Sequence, residues 1–332
     1  MSKKHILILG CGSVGKRHAG NLSSLDCKIS CFDPIKDRVD ELAEEINVEN
    51  SCTVLSEAFS SKDLDGVVVA SPTAFHPSQT IQALEQGLPV LLEKPAAKSL
   101  AEAENVLQVS EKTGVPVLLG YTWRWWPPLA RVRQLLDSGK VGRILHVQFH
   151  MSAHLADWHP WEPYQNFFMA SKEQGGGALL DESHWIDLML WFFGRPESLY
   201  GQVERNSGLE IATDDNVDLI VNYADGKRIT IHLDLYGRPH EKFIRFIGDK
   251  GTIFWSADPN KISIATRMEQ KWKQEEFNCD RNDMFMEVAR EFLTVLDGEE
   301  VKTCSFRDGL QVMGLIEAIR KSQQEQKMIR FT

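Results

Sequence analysis

The chain has 332 residues, 42% of them hydrophobic and 25% charged, a globular composition too long for one ordinary core and suited to two domains. A formal net charge of −10 without any basic run argues against a nucleic-acid partner, yet leaves room for an anionic small ligand at a local positive site. The longest apolar runs are strand-sized, which excludes a membrane partner. The six cysteines show no C-x-x-C pair and no metal-finger spacing, so reduced thiols, a cytoplasmic location and no metal site are expected.

The N-terminal segment Met1-Ser2-Lys3-Lys4-His5, followed by Ile6-Leu7-Ile8-Leu9-Gly10, is too short in its apolar part for a signal peptide and reads as a first strand. Strands are expected at 5–10, 27–33, 66–71, 89–94 and 115–121. Helices near 14–25, 35–46, 76–87 and 99–113 fall between them. The strands are rich in Val, Ile and Leu, as strands buried on both faces must be, and the alternation implies a doubly wound parallel sheet. After the first strand, Gly10-Cys11-Gly12-Ser13-Val14-Gly15 fits G-x-G-x-x-G. Such glycines permit a tight turn and bring backbone close to a pyrophosphate at a helix N-terminus, where unpaired N–H groups favour anions. Asp33 ends the second strand, where a carboxylate can bind ribose hydroxyls and repel a 2′-phosphate, favouring NAD over NADP. A turn residue before Pro34 is the alternative reading of Asp33. Lys16, Arg17 and His18 lie either near the pyrophosphate or on a solvated helix face. Strand 89–94 ends in Glu93-Lys94-Pro95, which places Lys94 at the nicotinamide end of the cofactor cleft. An ammonium there can polarise a reacting oxygen and share its proton.

Beyond residue 125 the texture changes. A helix near 127–138, a strand at 144–153, an irregular aromatic segment at 154–170 and a helix at 178–193 are expected. Asn216–Tyr223 and Arg228–Leu235 alternate with period two around Asp225-Gly226, a hairpin signature. Short strands near 243–247, 252–256 and 261–266 extend an antiparallel sheet, and helices near 282–297 and 307–325 close the chain. These features divide the chain into a dinucleotide-binding domain at 1–122 and a sheet-based domain at 123–332 expected to bind the substrate. Asp181 and His184 stand three apart on a predicted helix after Gly175-Gly176-Gly177, so they share a face. A carboxylate there would set the tautomer and basicity of the imidazole. Seven of the nine tryptophans (Trp123, Trp125, Trp126, Trp158, Trp161, Trp185 and Trp191) fall between residues 123 and 191. Flat aromatic faces suit the C–H faces of a sugar ring, although core packing accounts for Trp185 and Trp191.

Taken together, Gly10–Gly15, Glu93-Lys94-Pro95 and the Gly-Gly-Gly…Asp…His segment resemble the Gfo/Idh/MocA oxidoreductase family, over nearly the whole chain. Ala70-Ser71-Pro72-Thr73 with His76, Gly120-Tyr121…Arg124 and Gly248-Asp249-Lys250-Gly251-Thr252 add to the likeness. The resemblance implies an α/β protein: an N-terminal Rossmann domain with a doubly wound parallel sheet, then a C-terminal α/β domain with a large, mostly antiparallel sheet. It also implies NAD(P)-linked chemistry on a sugar, cyclitol or related hydroxyl, and a homodimer or homotetramer. By the same resemblance, Lys94 and His184 are the catalytic pair with Asp181 beside them. Ser71, Pro72, His76 and Glu93 join Gly10, Gly12, Ser13, Val14, Gly15, Asp33 and Lys94 at the cofactor. Tyr121, Arg124, Trp158, His159, Trp161 and His184 face the substrate, with Arg124 a fork for a carboxylate or phosphate. The family pattern D-x-G-x-H is one residue longer than Asp181-Glu182-Ser183-His184, so Glu182 could replace Asp181 as the histidine's partner. Gly15-Lys16-Arg17-His18 and Asp157–Tyr164 most resemble a branch tied to surface-polysaccharide and acidic-sugar biosynthesis. A dinucleotide-responsive regulator and an imine or biliverdin-type reductase on the same scaffold are the competing readings.

Overall fold

The computed structural model describes residues 3–158, 160, 162–267 and 271–331. The chain separates into two compact units, Met1–Trp125 with Asp280–Met313, and Trp126–Cys279 with Gly314–Thr332.

In the first unit, strands β1 (His5–Leu9), β2 (Lys28–Phe32), β3 (Val48–Cys52), β4 (Gly66–Val69), β5 (Val90–Leu92) and β6 (Val117–Leu119) form a parallel sheet in the order β3-β2-β1-β4-β5-β6. Helices α1 (Ser13–Ser24), α2 (Lys36–Glu45), α3 (Leu55–Ala58), α4 (His76–Glu85) and α5 (Leu100–Thr113) connect the strands. β1, β4 and β5 are buried along their length inside the sheet, whereas β3, Val-Glu-Asn-Ser-Cys, tolerates one edge; β6, at the other edge, is buried and bridges to Ser305. That polar composition is why β3 was not expected from the sequence. Ser99 and Glu102 close a capping box at the start of α5, and Gly114, at φ +70°, ends it.

The second unit opens with α6 (Pro127–Asp137) and β7 (Ile144–Ser152), followed by α7 (Ala178–Asp181) and α8 (His184–Phe193). Its sheet adds β8 (Ser198–Glu204), β9 (Asn216–Asn222), β10 (Arg228–Asp234), β11 (Glu241–Gly248), β12 (Gly251–Ala257), β13 (Asn260–Thr266), β14 (Lys273–Glu276) and β15 (Ile329–Arg330). The order is β14-β13-β12-β11-β7-β10-β9-β8-β15, antiparallel at each pairing except β7 with β10. The β9–β10 hairpin turns at Gly226, at φ +87°. Alternate residues bury one face, and helix α8 packs there, with Trp185 edge-on to Phe149 and Phe192 edge-on to Phe246. The fully buried rings Phe149, Trp185 and Phe246 each contribute about 1.5–3 kcal/mol.

Helices α9 (Arg281–Leu296) and α10 (Phe306–Glu325) correct the continuous 123–332 domain of the sequence reading. Val288, Ala289 and Phe292 of α9 lie in the same core as Ile6, Ile8, Leu22, Val68 and Leu91, so residues 280–313 belong to the first unit. Sequence periodicity marks an apolar helix face without saying which sheet it covers. Among the described residues, no helix is long and apolar enough to cross a membrane.

Candidate functional site

At the carboxyl edge of the first unit's sheet, each glycine of Gly10–Gly15 has a different physical task. Gly10 sits at φ +96°, and a Cβ there would lie 2.7 Å from the Ser71 amide nitrogen. A Cβ on Gly15 would lie 1.8 Å from the Gly10 carbonyl oxygen, so α1 can seat on the loop only without it. Gly12 faces open space. It also caps α1, which has neither a side-chain cap nor an acidic residue in its first turn, so its amides suit a phosphate. Ser13 and Val14 begin that helix.

Asp33, only 3% exposed, follows β2. Its Oδ2 accepts the Cys11 amide and its Oδ1 the Ile35 amide, both at 2.9 Å. The carboxylate therefore ties the glycine loop to the end of β2, with acceptor capacity left for a hydroxyl. Ile35, Val54 and Phe75 follow β2, β3 and β4 and remain about half exposed, an apolar trio that the sequence reading passed over. Apolar residues just past the carboxyl ends of expected strands are the signal that could have found them.

Four strands over from the edge, Lys94 follows β5 and is partly exposed, joined to Pro95 by a cis peptide bond. Glu93 is buried before it. Its Oε1 lies 2.7 Å from His18 Nε2 and its Oε2 accepts the Lys94 amide. Burial pushes the Glu93 carboxyl up, but His18, the Lys94 charge and that amide together hold it below the usual carboxylate range. His18 is thus turned inward onto Glu93, while Lys16 pairs outward with Glu41 and Glu45. Ser71 donates its hydroxyl to Gln79 Oε1, and Pro72 precedes the short 3-10 turn Thr73–Phe75. His76, expected at the cofactor, is buried with both ring nitrogens engaged by main-chain carbonyls.

Two candidate substrate residues lie inside the first unit. Tyr121 is fully buried in the first unit. Arg124 is 7% exposed, and its Nη1 donates to the Thr303 carbonyl and pairs with Asp308 at 3.2 Å. The guanidinium expected to grip an anion is engaged by the returning 280–313 segment.

In the second unit the glycine run is explained by crowding. A Cβ on Gly176 would meet the Met169 carbonyl oxygen at 2.3 Å, and one on Gly177, at φ +108°, would meet Asp214 Oδ1 at 2.4 Å. Asp214 Oδ2 accepts the Leu179 amide at 2.8 Å, capping α7, a positioning role that the sequence reading missed. Burial, the largest influence, raises the Asp214 pKa. The expected single helix at 178–193 breaks at Glu182-Ser183, leaving Asp181 at the end of α7 and His184 at the start of α8. Glu182 is buried and accepts the Trp185 indole N–H at 3.0 Å.

The tryptophans divide among separate structural tasks. Trp185 is core, Trp126 is buried, Trp125 donates to Glu291, and Trp191 lies under the Arg133 guanidinium. Trp158 is half-buried, and its indole N–H is buried with no hydrogen-bond partner among the described residues. His159 and Trp161 lie outside the described residues. Among the described residues, no group of three or more His, Cys, Asp or Glu is placed to hold a metal ion.

Residues 4–121 match the oxidoreductase family with an NAD-binding Rossmann fold, and residues 129–254 match the Gfo/Idh/MocA C-terminal domain. The NAD(+)-dependent scyllo-inositol 2-dehydrogenase of Bacillus subtilis is 31% identical over 142 residues, which is 42% of this chain and 42% of that protein. Myo-inositol 2-dehydrogenase of Thermotoga maritima is 23% identical over 98% of this chain and 97% of its own length. The crystal structure of the WlbA dehydrogenase from Bordetella pertussis, in complex with NADH and UDP-GlcNAcA, superposes with a TM-score of 0.82. It shares 22% identity and covers 100% of this chain and 99% of that one.

Proposed function

Because the chain belongs to the Gfo/Idh/MocA oxidoreductase family, with its NAD-binding Rossmann fold, we propose that it is a dehydrogenase or reductase acting on a hydroxyl or keto carbon of a sugar or sugar nucleotide. The observation that carries this reading lies within the first unit. An open Gly12 at the uncapped start of α1, in the crevice where β1 meets β4, shares one sheet edge with the partly exposed Lys94. Those residues fit a dinucleotide. The amides that open α1 would take its pyrophosphate, Asp33 its ribose hydroxyls, and Ile35, Val54 and Phe75 the faces of its adenine. When bound, NAD supplies the two-electron acceptor or donor.

Lys94 Nζ is the group we assign to hold and return the hydroxyl proton, and the His184 imidazole to exchange it, with Asp181 favouring the charged ring. Trp158 offers a dry indole N–H to a substrate hydroxyl, where an unsatisfied donor gains most from a partner. The Bordetella dehydrogenase and the phrase Asp157–Tyr164 support an acidic or nucleotide-linked sugar of a surface-glycan pathway, whereas the two inositol dehydrogenases support a free polyol.

Activity on free sugars, polyols, uronic acids and nucleotide sugars, followed by NADH absorbance, separates these classes. Activity confined to imines or tetrapyrroles would sink the reading. Lys94→Ala should cut turnover by about 10²-fold or more while NAD affinity in calorimetry changes little. NAD should bind more tightly than NADP, since a buried carboxylate repels a 2′-phosphate.

A further inference from the structure

His76 opens α4, fully buried, and the proposed proton chemistry leaves it without a task. Its Nδ1 lies 2.7 Å from the Pro95 carbonyl oxygen and its Nε2 2.8 Å from that of Ser71. Carbonyl oxygens only accept, so each contact requires an N–H on the ring. A neutral imidazole carries one and would press a lone pair against the second oxygen. The imidazolium carries two. Burial works against that charge and lowers the His76 pKa, with Lys94 adding to the effect, while the two carbonyls and the Glu93 carboxylate work for it. The charged groups around the ring are therefore Glu93 and Lys94 beyond β5, with His18 of α1 reaching it only through Glu93.

The two carbonyls belong to different strand ends. Ser71 lies beyond β4, and Pro95 follows Lys94 beyond β5. We infer that His76 is a positioning residue: as an imidazolium donating to both carbonyls, it clamps the end of β4 to the turn that carries Lys94 and so holds the lysine in place. This rests on the reading of Lys94 as the proton-handling group.

The protonation state of the ring tests the clamp without reference to activity. In the full-length protein labelled with ¹⁵N-histidine, both ring nitrogens of His76 should appear as N–H at mildly acidic pH, the signals being those lost in His76→Gln. A nitrogen bearing a lone pair overturns the clamp, whatever Lys94 does. In kinetics, His76→Gln should lower kcat about 10- to 100-fold, as a displaced reacting group does, with KM for NAD within about twofold. Unchanged kcat in that variant refutes the positioning role. Should His76→Gln fail to fold, the wild-type spectrum, assigned through the His76 backbone, decides alone. Normal turnover in Lys94→Ala would instead remove only the reading of Lys94 and leave the spectral result standing.

Discussion

At the scale of single residues, the glycine loop divides one motif into separable duties. Gly12→Ala adds a methyl where no atom lies within 4 Å, so the fold should tolerate it; the same methyl would stand where the pyrophosphate must approach. Calorimetry should show NAD binding weakened at least about tenfold, with Tm nearly unchanged. Gly15→Ala places its methyl 1.8 Å from a main-chain oxygen that cannot turn aside, and should cost about 1–3 kcal/mol of stability, read as a fall in Tm. The opposite order would mean that the loop is arranged for something other than a phosphate. Arg124 shows what local residue chemistry leaves out. A guanidinium near a domain boundary in an acidic chain reads as an anion fork, and nothing in the sequence reveals that Thr303 and Asp308 return to engage it. Arg124→Ala should therefore lower Tm, by about 1–3 kcal/mol of stability, and leave the substrate KM close to wild type. A KM that rises with no loss of Tm restores the substrate role.

Among the secondary-structure elements, legibility follows the strength of the periodic signal. The β9–β10 hairpin was legible because period-two alternation brackets Asp225-Gly226, and β1, β4 and β5 because doubly buried strands read as unbroken apolar runs. Edge strands β3, β14 and β15 carry polar or very short sequences whose pairing comes from neighbours distant in the chain, so local pattern could not announce them. The break between α7 and α8 was hidden for the same reason: apolar period continues across Glu182-Ser183 while the backbone does not. Its consequence bears on which acid serves His184. Glu182 is buried against the Trp185 indole N–H, and Glu182→Gln keeps a carbonyl oxygen to accept it. Asp181→Asn should accordingly reduce kcat at least about tenfold, and Glu182→Gln by less than about threefold. Steady-state kinetics at saturating NAD decides it, and the reverse order would make Glu182 the partner of the imidazole.

For the molecule as a whole, the sequence conveyed two sheets of different kinds but not the path that divides them. Residues 280–313 return to the first unit because α9 offers Val288, Ala289 and Phe292 to its core, a long-range choice that composition does not encode. Nor did any motif mark His232, on β10, as a charge that links strands. Its Nδ1 lies 2.8 Å from Asp218 on β9 and its Nε2 3.1 Å from Asp234, and its ring stacks on His150 of β7. The Asp234 carboxylate, helped by Asp218 and opposed by burial, raises the imidazole pKa to about 9. A group whose folded pKa exceeds its unfolded value near 6.5 stabilises fully below that value and loses its contribution as pH climbs through the folded pKa. The ring is about a third exposed, so solvent screening trims the contribution to about 1–2 kcal/mol. Thermal unfolding of the wild type and His232→Gln should therefore differ by a few degrees near pH 6, and the gap should close above about pH 9. Asp234 responds in the opposite sense. Burial raises its pKa, but His232, Ser152 and the amides of Tyr236 and Gly237 hold it below the usual carboxylate range, so its own contribution is lost only on acidification. A Tm difference that widens with rising pH would show that the ring is neutral in the folded protein, and that the two carboxylates beside it do not hold a cation.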